Sequence, residues 1–219
     1  MTRIEGHAGQ LTVAALQQFG TDVMFTLNGG HIWPFYDAAR DRGMRVIDTR
    51  HEASATFAAE AYAKLTRRPG LAALTAGPGI TNGVSAVTSA MFNGAPLVVI
   101  GGRAPEARWG AGSLQEFDHV PVLAPITKLA ATVKDAELAG EIVHGAATLA
   151  ASSHRGPVFL DFPFDLFAPT AGEVPDGGGG LSPAPDPDAV SRLAELVARA
   201  ERPAFLVGSD AYWDGAWGE

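Results

Sequence analysis

Two hydrophobic periods alternate along residues 8–161. Apolar residues three to four positions apart predict amphipathic helices, and short continuously apolar runs predict buried strands. Runs such as Leu97-Val98-Val99-Ile100 are typical of strands covered by helices on both faces. The pattern therefore predicts an α/β fold, a doubly wound six-stranded parallel sheet with helices on both faces. The predicted strands are 22–26, 45–48, 71–75, 96–101, 127–132 and 157–161, and the predicted helices are 8–19, 33–41, 51–65, 80–92 and 136–151.

This pattern is interrupted at residues 168–187, which contain five prolines and four consecutive glycines. We expect this segment to hold no regular element and to be a linker that follows a domain of residues 1–167. Beyond it, a helix is predicted to about residue 200 and a strand at 203–208, with Trp213 and Trp217 behind. Two elements are too few to bury a core, so we expect residues 188–219 to be the incomplete start of a second α/β domain.

The composition argues against several classes of function. The net charge of −8 and the scattered basic residues argue against a nucleic-acid partner, and the lack of cysteine excludes disulfides and thiolate metal sites. We expect no metal ligands in this chain. The first 20 residues, with Glu5, do not resemble a signal peptide, and no apolar run approaches the roughly 18 residues of a membrane span. We therefore expect a cytoplasmic protein with no membrane partner.

Candidate chemistry lies at two strand-to-helix turns. Arg50-His51-Glu52 opens one helix, and Gly77-Pro78-Gly79 opens the next. We expect these turns to lie side by side, since turns at the carboxyl ends of parallel strands line the ligand crevice. One turn offers a carboxylate, and the other offers a glycine-rich backbone that a ligand can approach closely. Locally, Thr49 and Glu52 also match a capping box, in which the glutamate only ties down its own helix end.

A longer pattern surrounds these turns. It comprises Arg50-His51-Glu52-Ala53, Phe57-Ala58-Ala59-Glu60-Ala61-Tyr62-Ala63 and Pro69-Gly70-Leu71-Ala72-Ala73-Leu74-Thr75-Ala76-Gly77-Pro78-Gly79-Ile80-Thr81-Asn82. It resembles the pyrimidine-binding domain of thiamine-diphosphate enzymes, most of all the acetolactate synthase large subunit. The resemblance implies that Glu52 hydrogen-bonds N1′ of the cofactor's aminopyrimidine and favours the tautomer that removes the thiazolium C2 proton. The cofactor-binding residues that it implies are Glu52, Gly29, Gly30, Thr75, Gly77, Pro78 and Asn82.

Two further candidates concern the substrate. The resemblance implies that Gln115 lies on a loop that carries a glutamine into the active site of a neighbouring subunit. His31 departs from the synthases, which have a small residue there, and is similar to the histidine of benzaldehyde lyase and 2-hydroxyacyl-CoA lyases that moves protons. A helix-start histidine bonded to backbone is the structural alternative. Asp161 and Asp165 flank Pro163, and we interpret both as turn-forming residues.

The resemblance implies decarboxylation of pyruvate and carboligation to a 2-keto acid in a homodimer or homotetramer. It also implies Mg²⁺ bound by a C-terminal domain, and it allows an FAD. That domain's Gly-Asp-Gly motif does not occur here, so we expect this chain alone to be inactive. Two alternatives stay open: a carbon–carbon lyase of the benzaldehyde-lyase or 2-hydroxyacyl-CoA-lyase type on the same cofactor, and a noncatalytic interaction module.

Overall fold

The fold is taken from a computed structural model of the 219-residue chain that describes residues 1–214. The last five residues of the predicted partial domain 188–219, Trp217 among them, lie outside the described residues. The main sheet has six parallel strands in the order β3-β2-β4-β5-β7-β6, which confirms the predicted α/β class. The strands are β2 (Val23–Thr26), β3 (Arg45–Asp48), β4 (Gly70–Leu74), β5 (Leu97–Arg103), β6 (Leu129–Thr132) and β7 (Val158–Pro163).

Helices cover both faces of this sheet. Alternate strand residues point to opposite faces, so Val98 and Ile100 join one buried cluster whereas Leu97 and Val99 join the other. The first cluster lies under α1 (Ala8–Gln17), α2 (Trp33–Asp41) and α6 (Ala139–Ala151), and the second under α3 (Glu52–Thr66) and α4 (Pro78–Phe92). The remaining helices are α5 (Val120–Leu123), α7 (Pro187–Arg199), α8 (Ser209–Asp214) and the 3-10 turns Gly30–Ile32, Glu106–Arg108, Ala124–Ile126 and Phe164–Phe167.

A second sheet corrects the expectation that 168–187 holds no regular element. Strand β8 (Thr170–Val174) pairs antiparallel with β1 (Thr2–Gly6). Val174 is buried in the first cluster, and Ile4 packs against that cluster, so apolar contacts hold the pair to the domain. The division into domains near residue 167 stays a prediction.

The predicted strand at 203–208 is wrong. These residues have no regular secondary structure, and Leu206 is fully exposed. No described strand pairs with them, so their backbone N–H and C=O groups form no ladder with a neighbouring strand. The predicted helix before them is present as α7, and Trp213 of α8 is buried in the second cluster. Among residues 1–214, no helix is long and apolar enough to cross a bilayer.

The strand order creates a crevice. The chain leaves β2 for its neighbour β3 and then returns to the other side of β2 as β4, so the segments after β2 and β4 diverge towards opposite faces. Ligands of open parallel sheets bind at such switch points. Strand β2 separates β3 from β4, so the turns at Glu52 and Gly77 are not direct neighbours in the sheet, contrary to our expectation. Helices α3 and α4 nevertheless pack against one face, which brings residues of both turns together.

Candidate active site

Glu52 begins α3, and its side chain is directed away from its own helix end. The N-cap is His51, whose Nδ1 accepts a hydrogen bond from the amide of Ala53 at 3.1 Å. The hydroxyl of Thr49 lies 2.9 Å from the carbonyl oxygen of His51 and 3.2 Å from that of Thr26, so its single proton is shared between these acceptors, and it accepts no hydrogen bond from α3. The capping-box alternative is therefore rejected, and the Glu52 carboxylate is available for another role although the residue is only 8% exposed.

Helix α4 holds this carboxylate. Asn82 donates from Nδ2 to Oε2 of Glu52 at 2.9 Å. The other oxygen, Oε1, receives no hydrogen bond from any of residues 1–214, and it faces Gly79: a Cβ added there would lie 3.6 Å from Oε1. A glycine at this position keeps the approach to Oε1 open. One carboxylate oxygen is thus fixed and the other is free to accept from a ligand.

The turn before α4 requires glycine at position 77. Gly77 has φ 60° and ψ −116°, which matches the first central position of a type II′ turn, and the amide of Gly79 bonds the carbonyl of Ala76 at 3.4 Å. Pro78 follows at the first position of α4, where its missing N–H costs nothing. The backbone here is consequently fixed in a conformation that presents α4 and Asn82 towards Glu52.

Thr75 connects this turn to the segment after β2. A Cβ on Gly29 would meet Cβ of Thr75 at 2.3 Å, whereas a Cβ on Gly30 would meet nothing within 4 Å. The absence of a side chain at Gly29 therefore lets the backbone pack against Thr75, whereas the space beside Gly30 is open to a ligand. His31, 9% exposed, has Nδ1 3.4 Å from the hydroxyl of Thr75. Burial lowers the pKa of His31, opposed by the backbone of Leu114 and reinforced by nearby His119, so the ring is neutral near pH 7.

Two cavities adjoin these residues. One of about 440 Å³ is lined by Gly30, His31, Pro105, Arg108, Gly112, Ser113, Leu114 and Phe164. The other, of about 330 Å³, is lined by Gly77, Pro78, Thr81, Gln115, Glu116 and Phe117. Gln115 has a left-handed φ of 55°, and its Cβ would lie 3.1 Å from a Cβ on Gly77. Gln115 thus packs on the glycine turn of its own chain.

Sequence reasoning missed His119 and misread Asp161. Both are fully buried, and Nδ1 of His119 lies 3.0 Å from Oδ2 of Asp161. Asp161 lies inside β7 and is not a turn-forming residue, which corrects that interpretation. Asp165 lies in the 3-10 turn Phe164–Phe167, but its carboxylate accepts from the amides of Glu106 and Ala107, 59 and 58 residues away, and so links two segments of the chain. Contacts between residues 42 positions apart, such as His119 to Asp161, leave no local signal in a sequence.

Comparison with known proteins now decides the family. A sequence profile of the thiamine pyrophosphate enzyme, N-terminal TPP binding domain, matches residues 6–122. The chain belongs to this family. Acetolactate synthase large subunit IlvG of Mycobacterium tuberculosis is 49% identical over 96% of the chain. The 2-hydroxyacyl-CoA lyase 2 proteins of Danio rerio and Homo sapiens are 37% and 33% identical, each over 94% of the chain. The chain spans only 38–39% of the length of these relatives.

Within this TPP-binding domain, the predicted site residues form one connected group. Asn82 contacts Glu52, Glu52 faces Gly79, and the space beside Gly79 is bounded by Thr75. Gly29 and His31 also lie against Thr75, and Gln115 lies on Gly77. The roles of these residues stay predictions. No three metal-ligating side chains come together among residues 1–214.

Proposed function

We propose that this chain is the pyrimidine-binding part of an acetolactate-synthase-type enzyme, which decarboxylates pyruvate on thiamine diphosphate and joins the product to a 2-keto acid. The observation that carries the proposal is the buried Glu52, with Oε2 held by Asn82 and Oε1 open beside Gly79. The 49% identity to an acetolactate synthase large subunit favours this reaction over others in the family.

The residues present suit an aminopyrimidine. A ring nitrogen that carries a proton needs one acceptor, and Oε1 of the buried Glu52 offers it, as one partner of a charge-assisted hydrogen bond. The cofactor, once bound, supplies a carbanion equivalent at its thiazolium carbon. Glu52 holds the proton at N1′, and Asn82 fixes the carboxylate plane. Gly79, lacking a side chain, lets the ring approach.

A lyase is the second candidate, and His31 favours it. The ring is neutral near pH 7 because burial lowers its pKa, and it borders the 440 Å³ cavity. A neutral imidazole there can accept a proton from a substrate hydroxyl. Relatives named 2-hydroxyacyl-CoA lyase 2 are 33–37% identical to the chain. We regard His31 as the residue that decides substrate class.

Other properties of the assembled enzyme are also proposals. We propose that Mg²⁺ is bound outside residues 1–214, because these hold no cluster of metal ligands. We further propose a cytoplasmic homodimer or homotetramer with Gln115 at an active site between subunits. An FAD is part of the proposal only through the resemblance to acetolactate synthases.

Product analysis tests the reaction. The protein at its full natural length is incubated with thiamine diphosphate, Mg²⁺ and pyruvate, and separately with a 2-hydroxyacyl thioester. Acetolactate from pyruvate supports the synthase, and aldehyde release from the thioester without acetolactate would replace it with the lyase. If the protein binds the cofactor but yields neither product, the noncatalytic module becomes the better description.

A further inference from the structure

A buried chain of hydrogen bonds lies beneath the glycine turn. It comprises Gly77, His119, Asp161 and Arg103 and is called the relay below. The amide of Gly77 donates to Nε2 of His119 at 2.9 Å, Nδ1 of His119 lies 3.0 Å from Oδ2 of Asp161, and Nη1 of Arg103 lies 3.3 Å from the same oxygen. His119 and Asp161 are fully buried and Arg103 is 7% exposed. Gly77 follows β4, Arg103 ends β5 and Asp161 lies inside β7, so the relay joins three strands of the main sheet.

The relay fixes the protonation of His119. A backbone amide can only donate, so Nε2 accepts and carries no proton. The ring proton is then on Nδ1, from which it is donated to the carboxylate of Asp161. The imidazole is neutral and held at both nitrogens, and the rings of Phe117 and Phe159 lie 5.5 and 6.3 Å from it. Two hydrogen bonds and two aromatic contacts consequently determine its orientation.

Asp161 is ion-paired with Arg103, whose guanidinium also lies 3.8 Å from the carboxylate of Glu106. That guanidinium also lies 3.5 Å from the carboxylate of Asp118 and is stacked 3.7 Å from the centre of the Trp109 ring. Asp118 and Trp109 belong to the long loop after β5. The same cation therefore secures both Asp161 and the loop that carries His119.

Two residues of the loop after β5 contact the turn at Gly77. Gln115 packs on Gly77 from outside, and His119 binds its amide from within. Gly77 has a φ of 60°, so the direction of its amide sets the start of α4. Asn82 lies on that helix and holds Glu52. A rotation of the Gly77 peptide would displace Asn82 and Gln115 together.

We propose that His119, oriented by Asp161, is a positioning residue that locks the Gly77 turn and thereby places Glu52, Asn82 and Gln115 for cofactor activation. His119 lies beneath the turn and touches no reacting atom. The role rests on the proposed activation by Glu52, and the experiment separates the two.

Substitutions at His119 test the lock in the full-length protein. His119→Leu removes both hydrogen bonds, whereas His119→Gln offers an oxygen to the Gly77 amide and an NH₂ to Asp161. His144→Leu is the control, since this half-buried histidine also bonds backbone, with Nε2 2.7 Å from the carbonyl of Gly177, and it takes no part in the Gly77 turn. The first readout needs no cofactor: hydrogen exchange of the amides of residues 75–83, measured by mass spectrometry. The second is deuterium exchange of the C2 proton of bound thiamine diphosphate, per folded and saturated molecule.

We expect His119→Leu to speed amide exchange in this segment about tenfold or more and to slow C2 exchange by a similar factor, because a buried donor loses its partner. His119→Gln restores both rates to within about threefold, and His144→Leu changes neither. Parental C2 exchange in folded His119→Leu overturns the role, even where amide exchange rises, since His119 would then be only structural.

A second variant covers the case in which His119→Leu does not fold. Asp161→Asn keeps the shape and an acceptor for Nδ1 but removes the charge, and we expect the same two changes at a smaller size. Parental rates of both in Asp161→Asn overturn the inference. Unchanged C2 exchange in Glu52→Gln would instead refute the proposed activation of the cofactor by Glu52. The amide exchange of His119→Leu would still show whether His119 holds the Gly77 turn in place.

Discussion

Helix α3 carries two buried glutamates that each accept a hydrogen bond from an asparagine, and only one of them faces the crevice. Glu52 accepts from Asn82 of α4 at 2.9 Å, and Glu60 accepts at the same distance from Asn93, the residue that follows α4. The two are 8% and 4% exposed. Eight residues separate them, or about 12 Å at ~1.5 Å per residue. The pair Glu52→Gln and Glu60→Gln therefore separates the catalytic role from burial and helix packing.

Glu52→Gln should affect the cofactor and leave the fold intact. A glutamine keeps an oxygen for Asn82, and Glu52 has no ion pair to lose within residues 1–214. The open Oε1 is worth one hydrogen bond to a charged group, about 1.5–3 kcal/mol. At about 1.4 kcal/mol per factor of ten, C2 proton exchange of bound thiamine diphosphate should fall about 10- to 150-fold, and turnover should fall with it.

Glu60→Gln should show the opposite profile. Oε1 of Glu60 also lies 2.6 Å from Nζ of Lys64, so the substitution removes an ion pair whose acidic side is buried. We expect a loss of about 1 kcal/mol in unfolding free energy, at the upper end for partly exposed pairs. C2 exchange per bound cofactor should match the parent, because nothing near Gly79 or Asn82 changes.

Both variants are measured in the full-length protein, by deuterium exchange at saturating cofactor with acid quench and NMR, and by thermal unfolding. Parental exchange in Glu52→Gln would refute the role of the open oxygen. An equal fall in both variants would show that general loosening of α3 on α4 explains the effect. Either outcome would contradict the role of Glu52 on which the proposed function rests.

Two further predictions concern packing and pH. Gly29→Ala should cost about 1–3 kcal/mol in unfolding free energy because its Cβ would overlap Thr75, whereas Gly30→Ala should change it by less than about 0.5 kcal/mol, and equal denaturation midpoints would contradict this. His7 caps α1 by accepting from the amide of Gly9, and burial lowers its pKa below 6.5, opposed by neighbouring aspartates. The cap is therefore intact above pH 6.5 and its contribution, about 1 kcal/mol, is lost as pH falls towards the lowered pKa. His7→Ser should flatten the dependence of stability on pH in that range, and an unchanged slope in urea titrations would disprove the assignment.

Much of the fold followed from local patterns. All six main strands were predictable because each is a short run whose apolar residues alternate between two cores; the four inner strands are buried throughout, and the edge strands β3 and β6 are partly exposed. Strand β8 was missed because its five residues lie between prolines and find their partner at the opposite end of the sequence. The apolar run at 203–208 predicted a strand that has no neighbour among the described residues. Local sequence indicates a strand only when tertiary pairing supports it.

The candidate site was likewise predictable only in part from the sequence. Glu52 and the glycine turn were found because they lie in one long motif with a known resemblance. The capping box at Thr49 was a plausible local alternative, and it failed because hydroxyl and carboxylate each found distant partners. Asp161 beside Pro163 suggested a turn, yet its partners His119 and Arg103 come from 42 and 58 residues away. Such pairs are specified by the folded topology and not by neighbouring residues.

The pairing of β1 with β8 has a consequence for engineering. Thr2 is in register with Val174, so the first and last strands of this unit end side by side. Neighbouring ends are the condition under which circular permutation and insertion into a host protein are tolerated. A short glycine-rich bridge between these strands, with new termini at the exposed Gly43 between α2 and β3, would yield a rearranged gene product that keeps the same crevice, since Gly43 lies at the amino end of β3 and the crevice lies at the carboxyl ends of the strands.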